Sequence, residues 1–361
     1  MGRASAATLG AVLGALCLGG GCATVGSSLG SLGYYAQSLS GHLDLMQRAR
    51  PVADWLADPA TPPALRERLQ LAQQLREFAV RELALPDNAS YRRYADLGRA
   101  SVVWNVVAAP ELSLTLKTWC YPVMGCVGYR GYFAQAAADA EARLQQDAGL
   151  EVNVYGVPAY STLGWTNWLG GDPLLNTFVT GPEHTLARLI FHELAHQVAY
   201  ATDDTAFNES YATAVERLGL ARWWARTGRQ PDDAATAQRQ ADFRLITQRT
   251  RTALKALYDS DVPDAQKRQR KAELMARMQA EFAKLKAMPT GAWSGFTGYD
   301  SWLARANNAA LALQAAYDGW VPAFEHLFAA QGRDFARFHA EVRRLAALPA
   351  EQRRATLQAL P

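Results

Sequence analysis

The sequence lacks long hydrophobic runs and an excess of charge of one sign. Beyond its N-terminal segment, no stretch is apolar over the roughly 20 residues that a membrane-spanning helix needs. Its 37 Lys and Arg residues nearly balance 34 Asp and Glu residues, and the net charge of +3 gives no reason to expect nucleic acid as a partner. Hydrophobic and charged fractions of 49% and 20% exclude collagen, low complexity and wholesale disorder. We therefore expect a globular protein with a sizeable core.

Cysteine is also scarce, and two of the four cysteines lie in an N-terminal segment typical of export signals. Residues 6–21 carry no charge and follow Arg3, and Gly21-Cys22 resembles the cleavage site of bacterial lipoproteins. We interpret residues 1–21 as a signal peptide and Cys22 as the lipid anchor. This predicts an exported protein on the periplasmic side of a bacterial membrane, with the outer membrane as a candidate. Plain secretion and an uncleaved anchor are the alternatives.

The remaining two cysteines, Cys120 and Cys126, are separated by five residues that include Pro122 and Gly125. In an oxidising periplasm such a pair can close a short loop as a disulfide. Two free thiols in a turn are the alternative. Zinc binding there lacks support, because no other Cys or His lies nearby to complete a four-ligand site.

Hydrophobic periodicity predicts an α+β fold that is mostly helical. Residues 101–108 and 150–157 have the β-branched or alternating pattern of strands, whereas 131–148 suits a helix. The other predicted helical stretches are 23–60, where Pro51 marks a start or kink, 63–85, 183–201, 204–227, 232–259, 263–288, 300–330 and 333–347. A basic cluster within them, Lys267, Arg268, Arg270 and Lys271, is interpreted as a solvated helix face, since aromatic residues do not interleave with it.

One pair among the six histidines carries most of the functional information. In His192-Glu-Leu-Ala-His196, two imidazoles one helical turn apart can bind the same ion. Glu193 can then act on a water at an open position of a zinc ion. Thr180-Gly-Pro-Glu183 predicts a capping box at the start of this helix. No role is assigned to the other histidines, His42, His184, His326 and His339.

A catalytic zinc ion needs a third protein ligand, and two glutamates downstream are candidates. A helical hairpin that turns at Thr202-Asp203 would bring Glu209 level with His196. Glu216 would then lie about 10 Å further along the same face, because seven residues rise about 1.5 Å each. We therefore predict Glu209 as the third ligand of one zinc ion, with Glu216 supporting the site by a second contact or a salt bridge.

These motifs resemble two groups of peptidases. The segment 192–197 followed by Asn208-Glu-Ser-Tyr-Ala-Thr-Ala-Val-Glu216 looks like the gluzincin aminopeptidases over about 25 residues. The export signal, Gly33-Tyr-Tyr, the stretch 120–133 and the stretch 157–165 resemble, over most of the mature chain, a bacterial family of zinc aminopeptidases that includes many sequences with lipoprotein signals. The resemblance implies a gluzincin-like fold with a small sheet, His192, His196 and Glu209 as ligands, and Glu193 as the base.

The domain boundaries follow from this resemblance and the element pattern. Residues 22–361 are predicted to form one metallopeptidase domain, with N-terminal helices over 22–100, a catalytic core over 101–228 and a helical C-terminal part over 229–361. The chain lacks the Gly-Ala-Met-Glu-Asn segment with which large gluzincin aminopeptidases hold the amino terminus, and its spacing from the second His to the Glu is shorter.

The predicted reaction is zinc-assisted hydrolysis of a peptide bond, with Glu193 transferring a proton from water to the leaving amine. Tyr160, Tyr211 and Tyr299 are candidates for the donor that stabilises the developing oxyanion. Strand 150–157 is a candidate for pairing with an extended substrate. Recognition of a free amine requires a carboxylate, for which Glu151, Asp172 and Glu216 are available.

Three functions are compatible with these residues. The leading prediction is a membrane-tethered zinc aminopeptidase acting on peptides or proteins. The second is a zinc endopeptidase acting on cell-envelope proteins, with the same site. The third is a non-catalytic envelope lipoprotein with a structural metal, against which Glu193 argues, because a purely structural site needs no base beside an open position.

Overall fold

The computed structural model describes residues 22–121, 125–159, 170–228 and 234–360. The predicted signal peptide, residues 1–21, and the candidate Tyr160 lie outside these residues. The described chain is mostly helical with small sheets, which agrees with the predicted α+β class. None of the described helices is long and apolar enough to span a membrane.

The N-terminal part is helical and is interrupted at a proline. Pro51 precedes α2 directly, so the predicted helical stretch 23–60 is two helices with a short extended link. Pro63 begins α3 at the position where a missing N–H costs nothing. The elements are α1 (Cys22–Arg48), β1 (Arg50–Pro51), α2 (Val52–Ala57), α3 (Pro63–Leu83) and β2 (Arg93–Ala95).

The strands of the described residues form three small sheets. The elements are β3 (Val103–Pro110), β4 (Trp119–Tyr121), β5 (Gly125–Val127), β6 (Arg130–Tyr132), α4 (Gln135–Asp147), β7 (Leu150–Val157), β8 (Leu174–Leu175) and α5 (Asn176–Val179). The two predicted strands, 101–108 and 150–157, correspond to β3 and β7, which pair antiparallel from Val103–Val157 to Pro110–Leu150. The sheet orders are β1-β2-β8, β6-β3-β7 and β4-β5.

The predicted helix over 131–148 is shorter than expected. Gly131 lies in β6, where it pairs with Asn105, and α4 begins only at Gln135. A Cβ at Gly131 would come to 3.0 Å from the Asn105 and Val103 side chains. Glycine therefore suits the close strand packing at this position, which helix propensity could not reveal.

The C-terminal half is a series of helices. The predicted single helix over 300–330 is three helices, because the Asn307 side chain caps a new helix by accepting from Ala310 N, and Pro322 lies in the first turn of the next. The last helix, over 350–358, lies outside the predicted helical stretches. The elements are α6 (Glu183–His196), α7 (Thr205–Thr227), α8 (Ala234–Tyr258), α9 (Asp264–Lys286), α10 (Asp300–Arg305), α11 (Asn308–Asp318), α12 (Val321–Ala330), α13 (Phe335–Ala346) and α14 (Ala350–Gln358).

The main hydrophobic core surrounds α6 and α7. Apolar residues of both helices, such as Phe191, Leu194 and Phe207, are fully buried there with residues of α3, α12 and α13. The start of α7 is fixed by Asp204, which accepts from Phe207 N and forms a buried ion pair with Arg353 of α14. Packing against α3, α12 and α13 and the ion pair with α14 therefore fix the position of the helix pair that carries the HExxH motif.

Candidate metal centre

The two helices of the site form an antiparallel hairpin with a turn where the sequence predicted it. Asp203 takes a positive φ of 63° in this turn. Asn208 closes the turn, because its side chain accepts from Ala201 N and donates to Ala201 O. The predicted capping box at Thr180 does not form: Thr180 ends α5, and α6 follows Pro182 without a side-chain cap.

The hairpin brings together two histidines and one glutamate. Nε2 of His192 lies 3.1 Å from Nε2 of His196, and Oε2 of Glu209 lies 3.3 Å from the His192 nitrogen and 3.6 Å from the His196 nitrogen. His196 and Glu209 are 7% exposed, so the three side chains are largely shielded from solvent. His192, His196 and Glu209 are a possible metal site.

The donor set fits a single tetrahedral zinc ion. Ligands bound at about 2.0–2.1 Å in a tetrahedron lie about 3.3–3.4 Å from one another. The three separations of 3.1, 3.3 and 3.6 Å surround that value. Two imidazole nitrogens and one carboxylate oxygen are also the donor types that zinc accepts at catalytic sites.

Glu216 contacts the other nitrogen of the first histidine. Its Oε2 lies 3.2 Å from Nδ1 of His192, and its Oε1 accepts from Nε of Arg188 at 3.0 Å. Because a carboxylate only accepts, the contact favours a proton on Nδ1. The lone pair of Nε2 is then directed at His196 and Glu209, as a metal ligand requires.

The electrostatics of the centre favour a bound cation. Burial alone would lower the pKa of His192, but contacts with Glu209 and Glu216 raise that pKa well above its usual value. Burial likewise opposes ionisation of Glu209, yet the charges and hydrogen bonds of His196 and His192 hold the pKa of Glu209 far below its usual value. Both shifts have one physical cause: the buried carboxylates stabilise positive charge at the position of His192, and a divalent cation bound there would be stabilised in the same way.

A cavity of about 760 Å³ opens onto this centre. Glu193 lines it beside His192, His196 and Glu209. A large part of its remaining wall is aromatic, formed by Tyr34, Tyr35, Tyr121, Tyr129, Phe133, Tyr200 and Tyr317. The volume is sufficient for several residues of a peptide.

Of the three tyrosines predicted as oxyanion donors, Tyr211 and Tyr299 do not line this cavity, and Tyr160 lies outside the described residues. Tyr211 faces the core on α7, where its hydroxyl bonds to Nδ1 of His339 at 2.8 Å. Tyr299 stacks on Phe243 at a ring distance of 4.3 Å in a second core. The orientations of these two side chains follow from how α7 and α10 pack against the rest of the protein, and a single sequence does not reveal that packing.

Three other tyrosines line the cavity near the metal site, Tyr129, Tyr200 and Tyr317. The ring of Tyr317 stacks over that of His192 with centroids 6.1 Å apart. Burial, and then the charge of Glu209, raise the pKa values of all three. Their hydroxyls therefore stay protonated and can donate. One sequence signal existed, because Tyr200 continues the four-residue spacing of His192 and His196.

None of the three carboxylates proposed to bind a free amine is placed to do so: Glu151 and Asp172 do not line the cavity, and Glu216 is bound by other residues. Glu151 pairs with Lys271 and accepts from Asn308 N, away from the cavity lining. Asp172 is 1% exposed and does not line the cavity either. Glu216 lines it but is held by His192 and Arg188. Among the described residues, the carboxylates of the lining are Glu193, Glu209 and Glu216.

The predicted substrate-pairing strand reaches the cavity only at one end. Val157, Pro158 and Ala159 line it. The carbonyls of Val152 and Val154 accept hydrogen bonds from Asn307 and Arg305 instead. Strand addition along the whole of β7 is therefore blocked by the end of α10 and the residues that link it to α11.

Cys120 and Cys126 are joined in a disulfide across the β4-β5 hairpin. This hairpin forms part of the cavity wall through Tyr121 and Val127. It also contacts the turn of the ligand helices, because Cys126 N donates to Oδ1 of Asp203 at 2.5 Å. The disulfide thus closes a loop that touches both the cavity and the α6–α7 turn.

The fold and site together define an α+β protein whose possible metal centre opens into a large cavity. Residues 33–357 match the model of a protein family described as "Putative aminopeptidase", and the chain belongs to that family. This membership supports peptidase activity at a coarse level. No match was found among curated proteins or among solved structures.

Proposed function

We propose that the protein is a zinc-dependent peptidase with a gluzincin-like site, in which His192, His196 and Glu209 hold one zinc ion. The observation that carries the proposal is the spacing of these three donors, 3.1 to 3.6 Å, at the wall of a cavity that Glu193 also lines. A structural metal would be enclosed by four protein ligands, whereas three ligands beside a cavity leave room for water and substrate.

The residues around the centre have separate tasks. When bound, zinc supplies a Lewis acid that polarises a carbonyl and makes a water nucleophilic near neutral pH. Glu193 accepts the proton of the attacking water and delivers it to the leaving amine. Glu216 keeps the proton of His192 on Nδ1, and a cavity tyrosine, for which Tyr317 is best placed, donates to the oxyanion.

The family description favours an aminopeptidase, which is the leading proposal. One observation favours the second candidate, a zinc endopeptidase acting on cell-envelope proteins. The carboxylates that line the described cavity, Glu193, Glu209 and Glu216, all have a proposed role at the metal centre, so none remains to bind a free α-amine. Aminoacyl chromogenic substrates assayed beside amino-blocked peptides separate the two. Cleavage of the blocked peptides alone would exclude the aminopeptidase.

Metal analysis of purified variants tests the shared mechanism. We expect wild type to hold one zinc per chain, Glu193→Gln to hold the same amount without hydrolysing peptides, and Glu209→Ala to lose most of the metal. Glu77→Ala, which alters an exposed glutamate of α3, is the control and should match wild type. Wild type without stoichiometric metal, or an active Glu193→Gln enzyme, would refute the mechanism.

We also propose that the chain is exported and anchored by a lipid on Cys22. The support is the sequence of residues 1–22 and the cysteine pair, which suits an oxidising compartment. Growth with a labelled fatty acid should label wild type but not Cys22→Ser, and the label should follow the membrane fraction. Unlabelled wild-type protein would contradict lipidation.

A further inference from the structure

The N-terminal helix α1 exposes a row of large apolar side chains. Tyr35, Leu39 and Leu43, which we call the apolar stripe, are 43%, 62% and 47% exposed. They follow one another at four-residue spacing, so successive side chains are offset by only about 40° around the helix and about 6 Å along it. The other exposed large hydrophobic residues of the described chain lie apart, one each on α4, on α8 and after α9: Leu144, Leu245 and Met288. Single exposed leucines are ordinary, whereas three apolar residues in one row form a contact surface.

The opposite face of α1 packs on the body of the protein. The Gln37 side chain donates to Gly131 O at 3.4 Å and accepts from Phe133 N at 3.2 Å, which ties the helix to β6 and the residue that follows it. Gly41 lies so close to the Phe133 ring that a Cβ at position 41 would collide with it. Leu45, one turn further along this face, is 2% exposed. The packing of this face therefore fixes the apolar stripe in an outward direction.

The apolar stripe belongs to a helix that begins at the proposed lipid anchor. Because α1 begins at Cys22, Tyr35 and Leu43 lie about 20 Å and 32 Å along the helix from that residue. Residues 22–43 contain no Asp, Glu, Lys or Arg, and the first charged residues after them, Asp44 and Arg48, pair with each other beyond the stripe. A lipid on Cys22 would keep the stripe within this distance of a bilayer, and no charged side chain before Asp44 would have to lose its water there.

We propose that α1 lies on a lipid surface along Tyr35, Leu39 and Leu43. The proposal rests on the anchoring of Cys22 proposed above and adds a second, non-covalent contact with the membrane. Leucine side chains enter the boundary between headgroups and acyl chains, and a tyrosine can place its ring there with its hydroxyl among the headgroups. An anchor at one residue leaves the protein free to turn about that point, whereas the apolar stripe selects the face that meets the bilayer.

A lipid surface suits the apolar stripe better than a second protein does. A stable protein interface uses about 20–30 residues a side. The stripe has three large side chains, and the exposed residues beside it are small or polar, namely Ala36, Ser40 and Gln47. A bilayer requires no matching shape, and the anchor would supply most of the affinity, so three side chains are enough to set an orientation.

The contact also fixes where one edge of the cavity lies. Tyr35 belongs to the apolar stripe and lines the cavity, as do Tyr34 and Ser38 of the same helix. Because Tyr35 is 43% exposed, it stands at the rim of the cavity and not at its floor. With the stripe on lipid, this part of the rim is at the bilayer surface.

Photo-crosslinking in vesicles tests the contact without relying on hydrolysis. The full chain carries the photoreactive residue benzoylphenylalanine at position 39, 43 or 144 and is incorporated into vesicles of phosphatidylethanolamine and phosphatidylglycerol that contain a radiolabelled phospholipid. Leu144 of α4 is the matched control, because its exposure of 63% equals that of Leu39. We expect positions 39 and 43 to take up about tenfold more labelled lipid than position 144. Equal uptake at the three positions, or cross-links from position 39 to a second copy of the chain in place of lipid, would overturn the contact.

Charged variants assign the effect to the apolar stripe. With benzoylphenylalanine at position 35, Leu39→Glu/Leu43→Glu should reduce the uptake of lipid about fivefold or more, because a carboxylate resists entry into lipid. Leu144→Glu/Leu245→Glu adds the same charge at exposed positions of α4 and α8 and should keep the full uptake. Uptake that the first pair leaves unchanged would contradict the proposal.

Fatty-acid labelling of the same samples separates the contact from the anchor. A chain that carries the fatty acid but takes up no lipid at position 39 would refute the contact and leave the anchor standing. A chain without the fatty acid that still takes up lipid at positions 39 and 43 would refute the anchor and leave the contact standing. A chain with neither would refute both.

Discussion

Glu216 lies 3.2 Å from Nδ1 of His192, while Glu209 lies 3.3 Å from Nε2 of the same ring. One imidazole is thus held between two carboxylates that come from the same helix, two turns apart. The sequence pattern Glu209-x₆-Glu216 on a helix antiparallel to the HExxH helix produces this arrangement. The first glutamate is in position to bind a metal and the second to orient the histidine.

We expect Glu216→Gln to weaken zinc binding by about 10- to 100-fold without removing a ligand. The amide keeps the shape of Glu216 but loses the charge that favours a proton on Nδ1 of His192. Competition with a chelator of known affinity measures the change. Glu341→Gln, which breaks only a surface pair with Arg344, should bind zinc as wild type does. Unchanged affinity in Glu216→Gln would contradict the orienting role.

Tyr317→Phe is expected to lower kcat by about 10²- to 10³-fold with little change in KM, because the hydroxyl would act only when charge develops on the substrate oxygen. Tyr211→Phe is the matched control. Its hydroxyl bonds to His339 in the core, so the change should cost about 1 kcal/mol of stability and leave kcat near wild type. If Tyr129→Phe rather than Tyr317→Phe shows the loss of kcat, the donor is Tyr129.

Local sequence patterns predicted the residues of the metal centre better than the orientation of the residues around it. The spacing of His192 and His196 and the polar turn at Thr202-Asp203 depend on helix geometry alone, and the structure brings Glu209 to the two histidines as that geometry requires. The orientation of Tyr211 depends instead on how α7 packs against α13, a contact between residues more than 100 positions apart. Periodicity contains no information about such contacts.

Periodicity likewise does not predict where the C-terminal helices end or which elements form the cavity wall. The periodicity of 300–330 is continuous in the sequence, but Asn307 and Pro322 divide it because their local hydrogen bonding favours new helix starts. The cavity wall combines α1, the β4-β5 hairpin, α6 and α11, which are distant in sequence. Arg188, which binds Glu216, does have a sequence signal, since it continues the spacing of His192 and His196 toward the N-terminus.

The disulfide hairpin is expected to support substrate binding more than metal binding. In Cys120→Ser/Cys126→Ser, the hairpin loses its covalent closure, which for a loop of this size contributes about 2 kcal/mol to stability in the chain-entropy model. Tyr121 and Val127 would no longer be fixed in the cavity wall, so KM should rise several-fold while zinc content stays at wild-type level. An unchanged KM, or loss of zinc with the disulfide, would contradict this assignment.

The contact of Cys126 N with Asp203 gives an independent test of the hairpin. Gly125 has a φ of +73°, and a Cβ there would collide with Oδ1 of Asp203 and with Thr202. Gly125→Ala should therefore raise KM in the same direction as loss of the disulfide, although both cysteines remain. Gly98→Ala also alters a glycine of positive φ, but in open space, and should leave KM unchanged.

Stability should fall as the pH decreases from about 6.5 to about 4 because of His339. This residue is 1% exposed, its Nε2 donates to Leu83 O, and its Nδ1 accepts from the Tyr211 hydroxyl. Burial lowers the pKa of His339 to about 4. Between that value and the unfolded pKa of about 6.5, the unfolded chain binds a proton that the folded chain does not, so acid favours unfolding.

The contribution of His339 can be isolated from that of the carboxylates by comparing two proteins. It is fully present above pH 6.5, and its complete loss by about pH 4 corresponds to on the order of 3 kcal/mol. Urea unfolding at pH 7.5, 6.0 and 4.5 should give a steeper decline of the unfolding free energy for wild type than for His339→Gln, which cannot be protonated. The two curves should converge toward low pH. At high pH the variant is less stable because it lacks the hydrogen bonds of His339, but it loses no stability to proton uptake at this position as the pH falls. Parallel curves would show that His339 does not remain neutral in the core.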